Sequence, residues 1–229
     1  MNRLLLVCLI ALTISAAAQT QAQTQPLQRG VSVQMAVTRS ASPMPEADNS
    51  DAWIVTVAAD GSLYLGADPV TPDELAEWMK THPRNRDARL YIKADARAPF
   101  ARVDKVLEIG RAMAFDAPVL LTAQHELNPP GSMVPPKGEV VSAGSLLPSG
   151  TIATVVEVLL SEHEPTLLVN KDQTSWSALE GTLGQHFAEG DDKVVLVRAD
   201  VRLPFAEVVR AIDGCRAAGA KVYLAEPGA

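Results

Sequence analysis

The sequence predicts an α/β (α+β) protein built from two tandem copies of one domain, each a mixed β-sheet with two helices on one face. Three observations predict it. Residues 93–111, KADARAPFARVDKVLEIGR, return as residues 198–216, RADVRLPFAEVVRAIDGCR, with eight of nineteen positions identical at a constant offset of 105. That period marks a duplicated domain, since solenoid units repeat every ~20–50 residues. Strand and helix patterns also follow the same order in both halves, and the last two β-α-β steps imply right-handed crossovers. Finally, the 229 residues are 47% hydrophobic with few aromatics, as in compact α/β proteins, and roughly 100 residues per half can bury a core.

The chain opens with MNRLLLVCLIALTISAAAQTQAQ. Arg3 gives a positive start, Leu4–Ile14 an apolar stretch and Ala16-Ala17-Ala18 a cleavage signal, the form of a secretory signal peptide over residues 1–18. Leu4 to Ala18 makes only about 22 Å of helix, short of the ~30 Å hydrocarbon core. An uncleaved anchor is the alternative. Cys8 sits mid-stretch without small residues before it, which argues against lipid attachment. Residues 19–29, rich in Gln and Thr, read as a flexible tether.

The first domain is expected over residues 30–126. Val31, Val33, Met35 and Val37 alternate at strand period. Ser40–Asp51, with Pro43 and Pro45, reads as a polar loop, and Trp53–Ala58 as a strand. Asp60-Gly61 turns the chain into a short strand at Leu63–Leu65. Thr71-Pro72-Asp73-Glu74 opens a helix, with Thr71 as cap, Pro72 in the first turn and Glu74 closing a capping box. Leu75, Trp78 and Met79 form its apolar face. Ala88–Lys93 is a strand. Pro99 starts a second helix with the stripe Phe100, Val103, Leu107 and Ala114, and Val119–Thr122 closes the unit.

Residues 127–150, with two Pro-Pro pairs and Pro148, read as a linker in which Glu139–Val141 can pair as a short strand. The second domain follows over residues 151–226. Ile152–Leu160 and Thr166–Val169 are strands around the turn Glu162–Pro165. A helix starts near Thr174 or Ser175 and buries Leu179, Leu183 and Phe187. Val194–Arg198 is a strand, Pro204–Ala218 a helix with Gly219 past its end, and Lys221–Leu224 the last strand. The sheet face without helices is less apolar, suited to water or to an interface.

Net charge is −7 with scattered Lys and Arg, so no basic stripe invites nucleic acid. Once a leader is removed, Cys215 is the one thiol left. It follows Phe205, Val208 and Ile212 on one helix face, which suits a small buried side chain. His82, His125, His163 and His186 have no metal-ligand spacing. No G-x-S-x-G elbow occurs, and the glycines of Gly214–Lys221 lack the Gly-Lys-Ser/Thr ending of a phosphate loop. No cofactor, metal or catalytic residue is expected. Asp95 and Asp200, each ending a strand before a helix, suit hydrogen bonds to nearby backbone N–H groups or pairs with Arg97 and Arg202.

The strand–turn–strand VTVAADGSLYLG, the capped helix TPDELAEWM and the segment RADVRLPFAEVVRAIDGCRAAGAKVYLAE resemble the periplasmic domain of ExbD/TolR biopolymer transport proteins. The family pattern is a strand ending in Ala-Asp, a Pro-aromatic helix start, a late acidic residue, then Ala-Gly and a strand. The second copy carries it as Ala199, Asp200, Pro204, Phe205, Asp213, Ala218 and Gly219. The first carries Ala94, Asp95, Pro99, Phe100 and Glu108 but reads Phe115-Asp116-Ala117 where Ala-Gly is expected. Leu147-Pro148 resembles a Leu-Pro early in the family's periplasmic region. Asp95, Arg97, Pro99, Phe100, Asp200, Arg202, Pro204 and Phe205 are the motif positions, expected to be structural.

The resemblance implies a non-enzymatic exported protein in the periplasm, binding or coupling within an envelope transport system. Its partner would be an ExbB/TolQ-type system, cell-wall material or a second copy of itself. Family members carry an Asp in one amino-terminal membrane helix and work in proton-driven motors. Leu4–Ile14 holds no Asp, so only the periplasmic half of that function carries over. Two alternatives stand beside it: an inner-membrane-anchored transport subunit that keeps residues 1–18, and an enzyme on an envelope substrate using a cleft around Asp95, Arg97, Asp200 and Arg202. A fused pair replacing a homodimer predicts a compact monomer in solution scattering.

Overall fold

The computed structural model describes residues 30–83, 87–124, 135–189 and 192–225. The expected leader, the tether, Cys8, His125 and the start of the linker lie outside them. Two mixed sheets carry four helices. The first half contributes β1 (Ser42–Pro43), β2 (Trp53–Val57), β3 (Leu63–Leu65), β4 (Asp68–Val70), α1 (Pro72–Thr81), β5 (Leu90–Ala94), α2 (Phe100–Ala112) and β6 (Val119–Thr122). A crossing stretch adds β7 (Lys137–Val140) and β8 (Ser142–Ala143). The second half contributes β9 (Thr154–Leu159), β10 (Thr166–Val169), β11 (Asp172–Thr174), α3 (Leu179–Glu189), β12 (Val194–Ala199), α4 (Phe205–Ala217) and β13 (Lys221–Leu224).

The first sheet runs β1-β7-β6-β5-β2-β3-β4, and the second β11-β10-β9-β12-β13-β8. In each, a β-β-β hairpin series leads through a helix to a parallel strand inserted beside the first, then through a second helix to another parallel strand. Val55, Val57, Ile92 and Leu120 meet Leu75 and Val103 of the helices. Val156, Val158, Val195 and Val197 do the same with Leu183 and Val208, and all belong to one apolar cluster running through both halves.

The capping box of α1 forms as expected. Thr71 Oγ1 accepts the Glu74 N–H at 3.2 Å, and Glu74 Oε2 accepts the Thr71 N–H at 2.7 Å, satisfying two orphan donors of the first turn. Leu75 and Met79 are buried, while Trp78 is half-buried between Trp53 and His82.

Several expectations need correction. Residues 31–37 make only isolated bridges, Met35 with Asp95 and Val37 with Ala123. There Ala36 and Thr38 point inward while Val37 is 46% exposed, so the small residues face the core. Ser40–Asp51 is not merely a loop. It forms β1 and a 3-10 turn, Pro45–Asp48, and Met44 and Ala47 pack on Tyr91, Val119 and Leu121. The helix-free face of the first sheet is thus partly covered by the chain itself. β4 and β11 were not expected as strands. In the second half Thr174 belongs to β11, and the helix begins at Leu179 rather than near Ser175.

The two long helices end alike. Phe115 N–H reaches Gly110 C=O and Ala114 N–H reaches Arg111 C=O; Ala220 reaches Cys215 and Gly219 reaches Arg216 in the same pattern, a Schellman motif. Gly219 takes φ +80°, and its counterpart Ala114 takes φ +59°. Ala114 is therefore outside the helix stripe, exposed, and stands where the second copy has its glycine. Met113-Ala114, not Phe115-Asp116-Ala117, is the equivalent of Ala218-Gly219. A Cβ in this conformation costs about 1 kcal/mol. Ala114→Gly is expected to raise stability by about that much in urea unfolding; a loss instead would show that the site tolerates alanine without strain.

Candidate functional site at the seam between the repeats

The motif segments meet each other. Residues 96–101 and 201–206 run antiparallel, with Pro99 bridging Pro204. Phe100 N–H donates to Leu203 C=O and Phe205 N–H to Ala98 C=O, both at 2.8 Å. Ala101 N–H donates to Val201 C=O at 2.8 Å and Ala206 N–H to Ala96 C=O at 2.9 Å. The offset of 105 maps each bond onto its mate, so the repeats are related by an approximate two-fold axis with an isologous contact. Proline suits this place: it lacks an N–H, and its fixed φ near −60° opens the helix. Ala98, Phe100, Leu203 and Phe205 close the seam as apolar core.

Asp95 and Asp200 hold the turns that lead into it. Asp95 Oδ1 accepts from Arg97 N–H at 3.0 Å and Nε at 2.9 Å, and Oδ2 from Gln34 N–H at 3.0 Å. Asp200 repeats this with Arg202 N–H at 2.9 Å and Nε at 3.0 Å, and no third segment joins it among the described residues. The arginine side-chain hydrogen bond leads in holding both carboxyls down to about 2. The structure places each aspartate on its own arginine. Both pKa values are depressed, so the stability they contribute is present above about 3.8 and lost as pH falls toward 2. Asp95 is 3% exposed and ties in Gln34. Asp95→Ala is expected to cost about 2 kcal/mol by stranding N–H donors, and Asp200→Ala under about 1 kcal/mol because its turn is wetter. Equal losses in paired urea melts would refute that ranking.

The seam is two-fold in backbone but not in polar chemistry. Asp213 Oδ1 on α4 accepts the N–H groups of Arg39 and Ser40 at 3.0 and 2.7 Å, fastening α4 to the lead-in of the first half. Its counterpart Glu108 pairs instead with Lys105 on its own helix at 2.8 Å. Arg216 donates Nη2 to Val140 C=O and Nη1 to Ala220 C=O, and its Nε lies 3.5 Å from Glu139 Oε2. Its counterpart Arg111 pairs with Asp104 on its own helix at 3.7 Å. Sequence reading missed Arg39, Glu139 and the cross-seam role of Arg216. The repeated Arg111/Arg216 identity was the one signal available.

Cys215 is fully buried, and desolvation pushes its thiol up to about 12, so it stays protonated and unreactive near neutral pH. Among the described residues there is no cluster of three His, Cys, Asp or Glu side chains that could hold a metal. Nor is any described helix long and apolar enough to cross a membrane.

A search of curated proteins and a search of solved structures each gave no match. The model of the family described as Biopolymer transport protein ExbD/TolR matches residues 3–125 and again residues 141–227. With both repeats matched, and each folded as the same mixed sheet with two helices on one face, the chain belongs to the ExbD/TolR family as two tandem copies.

Proposed function

We propose that this protein is an exported, non-enzymatic binding or coupling component of an envelope transport system, working in the periplasm through contact with an ExbB/TolQ-type assembly or with cell-wall material. The family match over both repeats carries the reading, because the family comprises transport proteins. The physical route is strand addition, in which main-chain hydrogen bonds supply affinity. The first sheet ends in β1 and β4, and each holds a proline, Pro43 or Pro69, that blunts the edge. The second sheet ends in β8 and β11, which have none, and β11 presents Asp172, Gln173 and Thr174 exposed or half-exposed.

A photo-crosslinker at Gln173 in cells tests this. Capture of an envelope protein or glycan there, and not from Pro69, supports the reading; no capture of any envelope component from either position would sink it. The anchored-subunit reading keeps one observation in its favour, since the family match starts at residue 3, within the leader-like stretch. Intact mass and amino-terminal sequence from separated membrane and soluble envelope fractions distinguish the two. A start near Gln19 in the soluble fraction supports export, and Met1 in the membrane supports an anchor.

A further inference from the structure

We propose that Glu139 is a proton-operated latch between the two repeats: as the neutral acid it lets the end of α4 seat on the first sheet, and as the carboxylate it loosens that seat. Glu139 lies on β7, only 2% exposed, and its Oε1 has no hydrogen-bond partner among the described residues. Arg216 cannot satisfy it fully. Its Nη groups are committed to the carbonyls of Val140 and Ala220, and its Nε, 3.5 Å from Oε2, makes no hydrogen bond among the described residues.

The surrounding charges do not make up the deficit. From α4, Arg216 attracts the carboxylate and Asp213 opposes it. Arg39, on the lead-in, lies 3.9 Å from Asp213, and Lys137, on the same face of β7, is held by Gln124. On α2, Arg111 is paired with Asp104. Removing a carboxylate from water at such a place costs more than one imperfect ion pair returns.

Burial, opposed by Arg216 and reinforced by Asp213, accordingly pushes Glu139 up from 4.5 to about 7. The sign follows from the raised value. Docking is strongest below about 4.5 and weakens as pH rises through 7, because the docked form binds a proton that the open form releases. The latch is one-sided: on the other side of the two-fold, β13 borders β8, whose residues are Ser142 and Ala143.

The test uses the full chain. The Glu139 carboxyl is followed by 13C NMR from pH 4 to 9. Hydrogen exchange at the seam amides of Phe100, Ala101, Phe205 and Ala206, corrected for intrinsic rates, is compared between wild type and Glu139→Gln. Every other pH effect is common to both proteins, so the difference between them is the readout. Seam opening is expected to rise on the order of tenfold from pH 6 to 8 in wild type and to stay flat at its acid-side level in the variant. A carboxyl midpoint below 5, a flat wild-type profile, or the same slope in both proteins would overturn the latch. If the variant fails to fold, the carboxyl titration of the unaltered protein still decides.

Discussion

Phe205→Ala is expected to lower stability by about 3–5 kcal/mol, the range for deleting a fully buried aromatic ring. Phe205 is 0% exposed. It begins α4, its N–H donates across the seam to Ala98 C=O, and its ring lies in the cluster that runs through both halves. The cavity therefore opens where the repeats meet. The surrounding backbone is fixed by four reciprocal hydrogen bonds, so it has little freedom to collapse and recover the lost contacts. Urea unfolding checks this: the midpoint should fall with the slope unchanged. Phe100→Ala, at the related position with 5% exposure, should cost nearly as much. A loss below about 1 kcal/mol at either site would mean that the seam is not packed like an interior.

Gly138→Ala is expected to cost about 2–3 kcal/mol, a large penalty for one methyl group. A Cβ at Gly138 would come within 2.5 Å of Val119 Cγ1 and 2.9 Å of the Leu120 carbonyl oxygen. The first neighbour is a side chain and can turn. The second is backbone of β6, held in the ladder between β5 and β7, and moving it breaks register. Overpacking of this kind typically costs ~1–3 kcal/mol, and the rigid oxygen puts this site at the upper end. Thermal melts should report it. Exchange at β7 should rise first, since the damage is centred there; uniform protection together with an unchanged melting temperature would refute the argument.

Much of the fold could be read from the sequence because its signals were local. The capping box of α1 lies within Thr71–Glu74, and β2, β5, β6 and β12 are apolar runs bounded by turns. β4 and β11 escaped notice because Asp68-Pro69-Val70 and Asp172-Gln173-Thr174 bury almost nothing. They are strands by pairing alone, and pairing leaves no hydropathy pattern. Residues 31–38 misled for the opposite reason. Their alternation is real, but Asp95 and Ala123 fix the backbone so that Ala36 and Thr38 turn inward. In the site, Asp95 with Arg97 was legible because the partners are two residues apart. Glu139 with Arg216 was not, because most of the second repeat lies between them. Ala114 was assigned to a helix face it never reaches, since nothing but its φ reveals its place at the cap.

The unequal fastening of α4 and α2 bears on how many partners one molecule can hold. A dimer of identical subunits offers every surface twice and does so only above its dissociation constant. Here a covalent connection keeps the two copies together at any dilution, and Asp213 and Arg216 reach across while Glu108 and Arg111 pair within their own helix. Each copy is thereby free to specialise. Binding at either one should saturate at one partner per chain, whatever the protein concentration.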